Sequence, residues 1–215
     1  VHVVSDSEFD RLLDTASRLV TEDGFDAVSI AGIAHAADVS RDDVLASFGS
    51  LEDLLVSMLN REYRRLWADL VDDIERDPRG GLLSQIYRYT LSGVYENPLV
   101  RALYLADRNG LNTIVRSTHG FAYVPDFRVR ASFIETMQEA GMVRREVDAD
   151  ALAALLSAVA AGAALTAPST SVDLVNQGLV DLLSRAVDTE AADTTPGKIA
   201  FVEFALSLAA PERRG

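Results

Sequence analysis

The chain has 215 residues, 48% of them apolar and 25% charged, which is enough apolar content for a sizeable core and excludes a disordered chain. It contains no cysteine, which excludes disulfides, thiolate metal sites and cysteine catalysis. Its net charge is −13, and the imbalance is steepest over residues 1–55, where three basic groups (Arg11, Arg18 and Arg41) face twelve acidic ones. No run reaches the ~18 apolar residues of a membrane helix; the most apolar stretch, 151–167, is interrupted by Ser157, Gly162 and Thr166. The first residues lack the basic start and apolar run of a secretion signal, so the cytoplasm is the expected compartment.

Phe9, Leu12, Leu13, Ala16, Leu19 and Val20 recur at spacings of three and four, predicting a helix over 7–21 that Ser5 or Asp6 caps and Gly24 ends. Ser29 is the expected N-cap of a second helix carrying Ile30, Ile33, Ala34 and Ala37 inward. A turn, Asp38-Val39-Ser40, follows, with Asp38 where positive φ is wanted. Ser40 and Asp43 resemble a capping box at the start of a third helix, whose Val44 and Phe48 face the core. Ser50 and Asp53 repeat that cap for a long fourth helix, apolar in period from Leu54 to Ile74 and stopped at Pro78-Arg79-Gly80-Gly81. Its acidic run of Asp69, Asp72, Asp73 and Glu75 reads as a solvated face rather than a metal site.

Beyond Gly81 the pattern predicts helices over 82–95, 98–109, 111–117, 126–140, 148–166, 171–187 and 196–209, with no alternating run long enough for a strand. The fold class is all-α, divided into a helix-turn-helix head at 1–52 and a helical body at 53–215.

Residues 9–55 resemble the TetR (tetracycline-repressor-like) family of bacterial transcriptional regulators. The matching segments are LLDTASRLVTEDGF, SIAGIAHAADVS, Phe48 and SLEDLL. The resemblance implies a dimer whose heads enter successive major grooves of double-stranded DNA and whose bodies each hold a small organic effector. Carried over position by position, Ser29 and Ser40 stand at phosphate-binding caps, and Arg41 is the one cation of the recognition segment. Asp42, Asp43, Leu45 and Ser47 complete the DNA-facing set. Departures from the family pattern are Asp42 and Asp43 in place of small residues, Leu45 in place of a Tyr, and Leu51 in place of a Lys. Two carboxylates on the leading turn suit the helix macrodipole but repel phosphate. An alternative reading is therefore a head that no longer reads DNA, in a protein acting as a ligand-binding or heterodimer partner.

By the same resemblance the effector site lies around Trp67, Tyr87, Tyr95, Tyr104, Asn112, His119 and Tyr123, an aromatic set with a few polar anchors. Residues 126–141, with Phe127, Ala131, Ile134 and Gln138 on one stripe, and the small-residue segment 148–166 are candidate homodimer helices. Three scattered histidines, no phosphate-cradling glycine loop and no nucleophile elbow argue against an enzyme, a metal site or a cofactor.

Overall fold

The computed structural model describes residues 5–99, 127–166 and 171–209. Nine α-helices occur among them: α1 (Asp6–Asp23), α2 (Ile30–Ala37), α3 (Arg41–Phe48), α4 (Leu51–Arg76), α5 (Leu83–Glu96), α6 (Phe127–Glu139), α7 (Ala149–Thr166), α8 (Val172–Ala186) and α9 (Thr195–Ala209). The expected helices 98–109 and 111–117 lie almost wholly outside the described residues. Among the described residues the one β-type pairing is an isolated antiparallel bridge, Val143 to Asp188. The fold is all-α, and its compact units part within α4, between Tyr63 and Arg64.

The head unit follows from short-range chemistry. Ser5 caps α1 in a full capping box: its side chain accepts the Glu8 N–H, and the Glu8 carboxylate accepts the Ser5 N–H at 2.9 Å. α1 runs two residues further than the apolar period suggests, to Asp23. Gly24 then adopts φ 83° and ψ 165°, a conformation open essentially only to glycine and distinct from the left-handed helical one. Leu12, Leu13, Ala16 and Val20 of α1 are buried, as are Ile33, Ala34 and Ala37 of α2, Val44 and Phe48 of α3, and Leu54, Leu55, Met58 and Leu59 of α4. Each large side chain buried there contributes about 1.5–3 kcal/mol. The Phe9 ring stacks on Phe48 at 4.7 Å, fixing α3 to α1.

The body unit is built on α5–α9 and the later part of α4. Leu70, Ile74, Leu82, Leu83, Ile134, Met137, Leu156, Leu183 and Phe201 form its core. α5 packs along α8, where Asn176 donates to the Arg88 carbonyl at 3.1 Å and the Ser92 hydroxyl at 3.0 Å. α6 packs along α7, which turns Ala131 and Ile134 into the unit. Gln138 of the same stripe is taken up locally, donating to the carbonyls of Arg144 and Val147. Ala131, Ile134 and Gln138 of that stripe are therefore engaged within the chain.

Candidate nucleic-acid interface and ligand site

Caps position the recognition segment. The exposed Ser29 has extended backbone and accepts the Gly32 N–H at 3.1 Å, starting α2. Asp38 closes α2 with φ 55° and ψ 48°, the left-handed turn expected of it, and is the one non-glycine residue with positive φ among those described. Ser40 caps α3, accepting the Asp43 N–H at 3.1 Å, and its own hydroxyl donates to the Asp43 carboxylate at 2.6 Å. Val44 and Phe48 anchor the inner side of α3, so Arg41 and Asp42 are left on the exposed side and Asp43, Leu45 and Ser47 at its margin.

The hydroxyls of this surface differ in what they can still do. Ser29 has no acceptor for its proton among the described residues. Ser40 has committed its proton to Asp43, and Ser47 donates to the Asp43 carbonyl at 2.8 Å. Leu45 offers no hydroxyl.

The cations of the head are mostly neutralised. Arg18 pairs with Glu22 at 2.7 Å, one turn along α1, and Arg11 lies 4.0 Å from Glu8. Arg61 of α4 is buried and holds α1, with its guanidinium on Asp14 at 2.6 Å, Asp10 at 3.3 Å and its neighbour Glu62 at 3.1 Å. Among the described residues Arg41 alone of these four has no carboxylate partner. Of Arg11, Arg18 and Arg41, the first two are therefore matched by carboxylates on their own helix. Sequence reading missed the Arg61 clamp, although its signal was present: Arg61 sits seven residues after Leu54 and three after Met58, on the core side of α4.

In the body, Trp67 is half-buried and its ring meets Phe201 at 5.8 Å and Phe204 at 6.0 Å. Phe133 stacks on Phe204 at 4.5 Å, so α4, α6 and α9 share an aromatic cluster. Phe133 and Phe204 also line a groove of about 380 Å³ between α6 and α9. Neither phenylalanine belongs to the predicted effector set. Burial pushes the Tyr87 hydroxyl up to about 12, partly offset by the Arg130 guanidinium. Tyr104, Asn112, His119 and Tyr123, and the side chain of Tyr95, lie outside the described residues. On the exposed face of α4, Asp72 and Asp73 each pair with Arg76 at 3.0 Å. No group of three metal-binding side chains occurs among the described residues. No described helix is long and apolar enough to cross a membrane.

Residues 12–58 match the family model described as bacterial regulatory proteins, tetR family. No curated protein matches the chain. Among solved structures, a putative transcriptional regulator from Saccharomonospora viridis in complex with choline is 20% identical, with a TM-score of 0.61 over 86% of this chain and 100% of its own. A TetR transcription regulator from Haloarcula marismortui is 19% identical, with a TM-score of 0.62 over 85% of this chain and 100% of its own. FadR from Thermus thermophilus, a repressor in complex with lauroyl-CoA, is 19% identical, with a TM-score of 0.54 over 82% and 93%. At these identities the likeness is one of fold.

Proposed function

We propose that this chain, whose residues 12–58 match the model of the tetR family of bacterial regulatory proteins, works as a cytoplasmic transcriptional regulator. In this reading residues 1–52 read double-stranded DNA and residues 53–215 sense a small organic effector and form a homodimer. The observation that carries it is the α2–turn–α3 unit. Ser29, Asp38 and Ser40 set its geometry, and Arg41 stands exposed and without a carboxylate partner on its leading turn. Ser29, Ser40, Arg41, Asp42, Asp43, Leu45 and Ser47 are the proposed DNA-facing residues.

For the effector, Trp67 and Tyr87 are the proposed described contacts, with Tyr95, Tyr104, Asn112, His119 and Tyr123 as further ones. The choline and lauroyl-CoA complexes of similarly folded proteins support a small organic ligand. Trp67 is the single tryptophan of the chain, so effector binding is expected to change its fluorescence. For the dimer, exposed Leu155 on α7 and Leu174, Gly178 and Leu182 on α8 offer an apolar face with a small residue between the two leucines of α8.

The test is a mobility shift with the purified protein over its neighbouring intergenic DNA across a salt series. A specific shift that weakens steeply with salt is expected, because released counterions supply much of the affinity. The ion pairs of Arg11, Arg18 and Arg61 favour a second reading, a head that does not read DNA and a chain acting as a ligand-binding or heterodimer partner. Absence of any shift at low salt selects that second reading.

A further inference from the structure

The body unit has an arginine cleft that neither the DNA-reading nor the effector-sensing role uses. It forms where the segments after α4, α6 and α8 come together. The Arg144 N–H donates to the Val187 carbonyl at 2.9 Å, and the Thr189 N–H donates to the Met142 carbonyl at 3.1 Å. The Thr189 hydroxyl donates to the Gly141 carbonyl at 2.6 Å. Asp188, itself buried, accepts the Ser84 N–H at 3.2 Å. Thr194 ties the same end to the α4–α5 segment by donating to the Pro78 carbonyl at 2.8 Å. Backbone bonds thus fix the cleft before any ligand arrives.

The cleft has a volume of about 500 Å³, and Arg79, Arg144 and Arg185 line it together with Asp188 and Glu190. Among the described residues, no carboxylate lies within ion-pair distance of any of the three guanidiniums. This is unusual in a chain with 33 acidic and 20 basic residues. Arg185 also complements the C-terminal dipole of α8, and Arg144 Nε donates to the Asp188 carbonyl at 2.9 Å. Those roles engage Nε of Arg144 and leave the paired terminal nitrogens of the guanidiniums, which bind oxyanions in pairs of hydrogen bonds, for a ligand. Burial holds the Asp188 carboxyl above the usual carboxylate range, against the pull of the Ser84 hydrogen bond and of Arg79.

We propose that this cleft binds the oxyanion of a small metabolite, a phosphate or a carboxylate, through Arg79, Arg144 and Arg185. Glu190 and Asp188 bias it towards molecules that carry a hydroxyl or amine beside the anion. Neither Trp67 nor Tyr87 lines the cleft, so its occupancy is a second chemical input to the body.

The test is calorimetric titration of the full chain with inorganic phosphate and, separately, with succinate, in chloride buffer at constant ionic strength. Saturable binding of either probe is expected, and the tighter of the two identifies the source of the oxyanion. An Arg79→Ala/Arg185→Ala double variant is expected to weaken it by about tenfold or more. Both side chains are exposed, and unchanged helicity checks that the variant is folded. Arg76→Ala, which removes a charge already paired to Asp72 and Asp73, is the control and is expected to bind like the parent. Failure of both probes to saturate, or equal binding by the double variant and the parent, overturns the proposal. Neither result bears on the DNA-reading proposal, whose readout is the mobility shift.

Discussion

The head and the loop end of the body use arginine in opposite ways. In the head, Arg11 and Arg18 are matched by carboxylates on their own helix, and Arg61 is buried against Asp10 and Asp14. At the loop end of the body, Arg79, Arg144 and Arg185 converge on one cleft with no carboxylate in ion-pair range among the described residues. Net charge alone agrees with the head and misleads at the cleft. The head carries the fold of a DNA reader but little unpaired positive charge, whereas the acidic chain as a whole conceals a local positive site. Availability of a cation, set by its neighbours within about 4 Å, decides what it can bind.

The largest expected effect breaks the body side of this contrast. Gly81 packs so closely on the Thr194 carbonyl and the Lys198 nitrogen that a Cβ there would overlap backbone atoms, which cannot rotate away. Gly81→Ala is expected to cost about 3 kcal/mol or more, by chemical denaturation, through forced backbone displacement. If the α4–α5 segment is what holds Arg79 in the cleft, phosphate binding falls with it. A variant as stable as the parent would show that this approach is looser than the structure has it.

The next effect sharpens the head side. Asp42→Gly, Leu45→Tyr and Leu51→Lys together remove one negative charge, add one positive charge and add a phenolic donor on or beside α3. The triple variant is expected to bind non-specific DNA about tenfold to a hundredfold more tightly at low salt, with a salt slope steeper by about one unit. Fluorescence anisotropy against a random duplex measures both. No gain would mean that the pairing of Arg11 and Arg18, rather than the surface of α3, limits the head.

These regions also differ in how far the sequence discloses them. The head was readable because its devices are local: the Ser5–Glu8, Ser29–Gly32, Ser40–Asp43 and Ser50–Asp53 contacts all span three residues. The turn at Asp38 needs only one unusual φ. Arg61 was harder, since its partners Asp10 and Asp14 are 51 and 47 residues away. The arginine cleft was not readable at all. Arg79, Arg144 and Asp188 come from three separate interhelical segments, and Ser84 meets Asp188 across 104 residues. No helical period carries such a convergence. Trp67 stands between these cases, because its ring neighbours Phe201 and Phe204 lie more than 130 residues away on α9, beyond the reach of any local period.

The smallest effect separates cap from reader within α3. Asp43 both donates its N–H to the Ser40 hydroxyl oxygen and takes that hydroxyl's proton on its carboxylate. Asp43→Ala keeps the first bond, so the cap survives, and loses the second together with a charge that suits the positive end of the helix dipole. The expected stability cost is about 0.5 kcal/mol. The released Ser40 proton and the lost repulsion then act in the same direction, and DNA affinity is expected to rise by about threefold. Denaturation and anisotropy on the same preparation give the two numbers independently. A fall in affinity, confined to a particular duplex, would instead identify Asp43 as a base reader. A carboxylate in the major groove can accept a hydrogen bond from cytosine N4, and in that case the acidity of α3 is specificity rather than decay.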